Sequence, residues 1–185
     1  MRDQHYAFQA LTESRKKSDV VKIYALVDGI QYERAFGGPI EENKIVRPLL
    51  TLPEDRSIAF AGPWLMDAEQ LSMNELSNIF VLEKKHPAVS WIVSEKELYP
   101  LAAHLTSCLM ISFPSKETGL FRFYDCRVLL LLPQILLPFQ IENLMKLTRQ
   151  WLFLSKGAIN SFHYHDAVLK ITTQENKQNE NRDIL

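Results

Sequence analysis

The sequence predicts an α/β fold, with a mixed sheet flanked by helices and a small C-terminal helical and hairpin extension. Three observations carry that expectation. Residues 20–27, Val-Val-Lys-Ile-Tyr-Ala-Leu-Val, are a nearly continuous run of strand formers, as in a central strand buried on both faces. Ser72-Met73-Asn74-Glu75 has capping-box spacing and precedes Leu76, Ile79 and Phe80, which share one helical face. Residues 158–172 read as a terminal hairpin.

The elements follow in chain order. Residues 5–17 are a short polar helix whose end, Arg15-Lys16-Lys17, opposes the partial negative charge of a helix C-terminus. Asp28-Gly29 closes the first strand and reads as a turn, since no Gly-rich phosphate loop follows it. Residues 34–48 read as loop with at most a helical turn, and residues 47–52 and 57–65 as short strands parted by Pro53-Glu54-Asp55. The Ser72 helix runs to about Lys85, and residues 89–93 are a strand.

Ser94-Glu95-Lys96-Glu97 repeats the capping-box spacing before a helix with the stripe Leu98, Leu101, Ala102, Leu105, Cys108, Leu109; Pro100 makes this helix start late or kink. Residues 109–113 and 120–126 are two strands joined by the turn-rich stretch 114–119. In the second of them Phe121 and Phe123 alternate with Arg122 and Tyr124. Residues 127–137 are Leu-rich and helical despite Pro133, and Pro138 opens a helix whose Ile141, Leu144, Met145, Thr148, Trp151 and Leu152 share a face. Residues 174–182 are almost all Gln, Asn, Glu and Lys, too polar to offset the entropy of ordering. The expected organisation is an α/β domain over 1–137, a helix plus hairpin extension packed on it over 138–172, and a disordered tail over 173–185.

Composition narrows the function classes. At 185 residues the chain can bury a core without metal or disulfide staples. Its hydrophobic fraction of 46% and charged fraction of 23% are those of a globular protein. Lys and Arg number 21 against 22 Asp and Glu, so a net charge of -1 offers no field to attract nucleic acid or anionic lipid. The N-terminus lacks an apolar signal-peptide core, and the richest apolar run, 128–139, is too short to span a bilayer. Cys108 and Cys126 have neither metal-type spacing nor a disulfide framework, which suits the cytoplasm.

Three segments, Tyr24-Ala25-Leu26-Val27-Asp28-Gly29, Ala61-Gly62-Pro63-Trp64-Leu65 and Phe121-Arg122-Phe123-Tyr124-Asp125-Cys126-Arg127, together resemble one family. It is the type VI secretion effector-adaptor, or effector-chaperone, group, long catalogued as a domain of unknown function. Leu101-Ala102-Ala103-His104-Leu105 is similar to that family's helix with a His-Leu pair, and the resemblance spans about residues 20–135. It implies a non-enzymatic protein that holds a toxic effector and helps load it onto the trimeric spike protein VgrG. Asp28, Gly29, Pro63, Trp64, Arg122, Tyr124, Asp125 and Arg127 are its motif positions here; Cys126 departs from the family's usual Pro. The region after 135 is shorter than the second lobe of many members.

Several residues carry two readings. Asp125 and Arg127, two apart, would share a face of a continuing strand and pin it to a neighbouring helix through a bidentate pair, with partner contact as the alternative. The 129–137 run and the 141–152 stripe hold more apolar surface than one helical face needs, which suits core burial or an effector-binding patch. Leu130, Leu137, Ile141, Met145 and Trp151 are the candidate partner-binding residues. The rival enzyme reading is a thiol hydrolase using Cys126 with His104, or a metal site from His163, His165 and Asp166; ordinary buried cysteine and an exposed hairpin explain these residues more simply. No metal and no cofactor is expected. A further rival is a structural subunit of the secretion apparatus.

Overall fold

The computed structural model describes residues 2–51, 58–112, 115–165 and 168–176. Seven strands form one sheet: β1 (Lys22–Asp28), β2 (Val46–Pro48), β3 (Pro63–Asp67), β4 (Val89–Ser94), β7 (Gln150–Ser155), β8 (Ala158–His165) and β9 (Val168–Glu175), in the order β2-β3-β1-β4-β7-β8-β9. Each pairing in it is antiparallel. A separate small hairpin joins β5 (Met110–Ser112) to β6 (Thr118–Leu120). The expected α/β class is what the chain adopts, with helices on both faces of the sheet.

Alternation within the central strands creates the two cores. In β1, Ile23, Ala25 and Val27 enter one core, and Tyr24 and Leu26 the other. A run apolar at both parities is what a strand covered on both faces requires. The first core is closed by α1 (Tyr6–Arg15), α2 (Gly29–Phe36) and α3 (Met73–Lys85). The second is closed by α4 (Leu98–Ser107), α5 (Cys126–Leu129), α6 (Leu132–Ile135) and α7 (Pro138–Met145). The Ser72 capping box forms: Glu75 N donates to Ser72 Oγ, and Ser72 N donates to a Glu75 carboxylate oxygen.

Five expectations are corrected. Asp28-Gly29 is not a simple turn: Asp28 caps α2, accepting from Gln31 N at 3.2 Å, and the helix ends at Phe36, in keeping with the helical turn allowed within residues 34–48. The second capping box does not form, because Ser94 lies buried at the end of β4, where its hydroxyl donates to Leu147 O and accepts from Lys96 N. Glu97 stands at the start of α4 instead, with no side-chain cap, and Pro100 sits in the first turn, where no intrahelical donor is needed.

Residues 120–126 are not a strand of the sheet. β6 ends at Leu120, a tight turn puts both Phe123 and Tyr124 in the core, and Asp125 starts α5 as an N-cap. Trp151 and Leu152 do not continue the Pro138 helix, which ends at Met145; they lie in β7 and face opposite cores. The C-terminal hairpin expected over 158–172 forms, and it is hydrogen bonded into the sheet through β7 and β4. It reaches Glu175, so residues 173–175 expected in the tail are strand.

The described parts of the two expected short strands, 47–51 and 58–65, hold the end of the short β2, a 3-10 turn at Ala59–Ala61, and the start of β3. The Pro53-Glu54-Asp55 turn, Phe113 and Pro114, and the tail from 177 lie outside the described residues. Among the described residues no helix is long and apolar enough to cross a membrane.

Candidate functional site

The three motif segments, far apart in sequence, meet at one end of the sheet. Asp28 at the end of β1 is in register with Pro63 at the start of β3, a position where a residue without an N–H is tolerated. Gly29 N donates to Gly62 O at 2.8 Å, and Trp64 Nε1 donates to Phe60 O at 3.2 Å. A methyl group on Gly29 would collide with Phe60 O and stand 2.7 Å from Gly62 O and 2.8 Å from Trp64 Nε1. Only glycine lets the start of α2 approach this backbone so closely.

The third segment closes the cluster from the other side. Asp28 N donates to Ala88 O at 2.9 Å, and Cys126 N donates to Pro87 O at 3.3 Å, so both segments are tied to the entry of β4. Arg122 Nη2 lies 3.2 Å from Asp28 Oδ2, and its guanidinium sits 5.4 Å from the centroid of the Tyr124 ring. Asp125 Oδ1 accepts from both Arg127 N and Arg127 Nε at 2.9 Å, while Oδ2 accepts from Nη2 at 2.6 Å. The bidentate pair exists, but it is local to the start of α5 and does not join a strand to another helix.

Burial separates the partners in each pair. The Asp28 and Asp125 side chains are 4% and 7% exposed, those of Arg122 and Arg127 45% and 70%. Burial raises the Asp28 carboxyl above the usual carboxylate range, against the Gln31 amide and the Arg122 charge. Asp125 also feels burial, but its bonds to Arg127 outweigh this and hold it below that range. Two buried carboxylates thus orient two arginines whose outer edges face solvent. The arrangement pins four chain segments together and leaves guanidinium N–H donors at the surface.

The five residues proposed for partner contact separate by burial. Ile141, Met145 and Trp151 are core, at 7%, 1% and 0% exposed, and Trp151 Nε1 donates to Ser90 Oγ. Leu130 is partly buried against the second core, whereas Leu137 is 58% exposed. Leu137 belongs to a group the stripe did not single out: Leu131, Ile135 and Phe139 are also exposed, Phe139 by 65%. Four large apolar side chains therefore reach solvent within nine residues, 131–139, along α6 and the start of α7. The two prolines explain it, since Pro133 and Pro138 break the segment into short helices that cannot turn every apolar side chain inward.

Cys126 is fully buried, its Sγ donates to Val89 O at 3.1 Å, and burial raises its thiol far above the ordinary value. Its hydrogen bond goes to backbone, not to His104, whose Nε2 is buried without a partner among the described residues. His163 Nε2 lies 3.0 Å from Ser161 Oγ, and burial with the Lys170 and Lys17 charges lowers its pKa. The His165 side chain and Asp166 lie outside the described residues. Among the described residues no group of three or more His, Cys, Asp or Glu is placed to hold a metal ion.

A buried polar cluster escaped sequence reasoning. Glu83, on the apolar side of α3, accepts from Tyr6 OH, from Trp91 Nε1 at 2.7 Å and from His5 Nε2 at 2.8 Å. His5 Nδ1 accepts from Ala7 N as the cap of α1, which assigns the proton to Nε2, and its ring stacks on Phe80 at 4.1 Å. The signal was present: Glu83 follows Leu76, Ile79 and Phe80 at the next position of their stripe.

These observations define an α/β protein of three layers with a clamp of motif residues at one sheet end and an apolar ridge on one helical layer. A family model described as "Domain of unknown function (DUF4123)" matches residues 23–143, and the chain belongs to that family. The matched span runs from β1 into α7 and contains both the clamp and the ridge. No curated protein and no solved structure matches the chain.

Proposed function

We propose that the chain is a cytoplasmic, non-enzymatic adaptor of type VI secretion that holds a toxic effector and helps load it onto the VgrG spike. The observation that carries this reading is the ridge of Leu131, Ile135, Leu137 and Phe139, exposed apolar surface of the kind that marks partner sites on soluble proteins. The resemblance of the motif segments to effector adaptors supplies the kind of partner. The buried, backbone-bonded Cys126 supports recognition over thiol chemistry.

In this reading the clamp has a positioning task. It fixes the start of α5 against the ends of β1 and β4, so the α5–α7 layer offers its ridge on a rigid base, which lowers the entropy of capturing an extended or helical effector segment. The test is co-purification of the full chain with type VI effector and VgrG spike proteins from its host, using wild type and the Leu137→Asp/Phe139→Asp double variant. Because both side chains are mostly in water, the variant should keep its thermal midpoint and lose effector recovery by at least about tenfold. Undiminished recovery by a folded double variant would remove the ridge as the effector site.

A further inference from the structure

We infer that β9 is a dimerisation edge, pairing antiparallel with β9 of a second copy to join two seven-stranded sheets into one. The two edges of the sheet are built differently. β2, at one edge, is three residues long and ends in Pro48, the usual protection against edge pairing. β9, at the other, is eight residues long with no proline, and among the described residues no strand pairs with its outer side. Its charges are Lys170 and, at its last residue, Glu175.

The side chains favour a second copy as the occupant. A continuous cross-strand row runs Tyr24, Ile92, Trp151, Phe162, Ile171. The first four are fully buried, while Ile171 at the edge is 42% exposed. Two-fold antiparallel pairing keeps each face in register only when opposed residues have the same parity, because successive side chains alternate faces. Centred on Ile171, such pairing sets Ile171 beside its own symmetry mate and carries the apolar row into the second sheet.

The same register sets Lys170 against Thr172, Leu169 against Thr173 and Val168 against Gln174, so no like charges meet. Shifting the axis to Lys170 would oppose two lysines, and shifting it to Thr172 would oppose Leu169 to Glu175. One register is therefore favoured, and its ladder over 168–174 is about 24 Å long at the usual rise per residue.

Sedimentation velocity of the full chain over a micromolar concentration series tests this. The expected species is twice the 21.4 kDa chain mass, and Ile171→Lys, which places two cations on the axis at an already half-exposed position, should weaken association by at least about tenfold while leaving the circular dichroism unchanged. In a Cys108→Ser background, Ile171→Cys should form an intermolecular disulfide that Lys170→Cys does not. A monomer at every concentration, a dimer indifferent to Ile171→Lys, or cross-linking through position 170 but not 171 would each overturn the proposal. So would a chain that is monomeric alone and uses this edge only for a different protein.

Discussion

Replacing Gly29 by alanine tests the clamp most sharply, because two physical effects predict opposite signs. Gly29 is the first residue of α2, and its φ is not in the left-handed region. Helix propensity alone therefore favours alanine by about 1 kcal/mol. The structure predicts the reverse. The added methyl would collide with Phe60 O and crowd Gly62 O and Trp64 Nε1, and two of these are backbone oxygens that cannot swing away like a flexible side chain. Overpacking of this kind costs about 1–3 kcal/mol. Relieving it means moving α2 away from the 60–62 segment, which lengthens the bonds Gly29 N to Gly62 O and Trp64 Nε1 to Phe60 O, each worth about 1 kcal/mol. After subtracting the propensity gain, the net loss is about 2–4 kcal/mol. In urea, with a slope of about 2 kcal/mol/M, the midpoint should fall by roughly 1–2 M at unchanged slope. Gly38→Ala is the control, since a methyl there meets nothing within 4 Å, and it should stay within about 0.5 kcal/mol of wild type. A Gly29→Ala midpoint at or above wild type would refute the claim that close backbone approach dictates this glycine.

Glu83→Ala strands three buried donors, from His5, Tyr6 and Trp91, and should cost about 3–5 kcal/mol, with amide exchange in α1 accelerating before that of the central strands. Asp125 gives a signed pH dependence. Its folded pKa is depressed, so its stabilisation is present above the unfolded carboxyl pKa of about 3.9 and is lost as pH falls through the folded value. Asp125→Asn should therefore flatten the acid limb of the stability curve measured by urea titration below pH 5. Asp28, raised by burial, acts with the opposite sign: its contribution to stability grows as pH falls, so in the same variant it should flatten that limb further.

The layers were legible in the sequence wherever one local rule acted alone. The two-parity apolar run of β1 can be satisfied only between two covers, and Ser72 with Glu75 caps α3 as the spacing predicts. The misses share a cause, which is that a residue's local preference was overruled by a distant partner. Ser94 has capping spacing but is claimed by Leu147 O, fifty-three residues away. Phe121 to Tyr124 alternate like a strand, but Asp125 caps a helix and the Arg122 side chain is drawn to Asp28, ninety-four residues back. Trp151 fits the face of the preceding helix at a period of 3.6, yet Gln150 to Phe153 pair with β4 once a partner edge exists. Of the site, the motif residues were legible as a set and their meeting point was not, because β-sheet order is a long-range property. The ridge was legible as an apolar excess, but which members reach solvent depends on where two prolines interrupt the helix.

The family match ends at residue 143, while three of the seven strands lie beyond it, and this raises the question of whether the matched span is a folding unit. The second core argues that it is not. Trp151, Phe153 and Phe162 are fully buried there, Phe153 and Phe162 edge to face at 5.2 Å. Aromatic side chains bury about 150–250 Å² each, so at about 25 cal/mol per Å² the three together contribute on the order of 10 kcal/mol. That is comparable to the whole stability of a typical domain. Removing β7 would also bare one long edge of β4 and leave Ser90 without the Trp151 indole that donates to it. A fragment of residues 1–148 should therefore lack a cooperative thermal transition and bind hydrophobic dyes, whereas the chain through Asn176 should unfold cooperatively. Cooperative unfolding of the shorter fragment would mean that the helical layer, not the full sheet, holds the clamp and ridge in place.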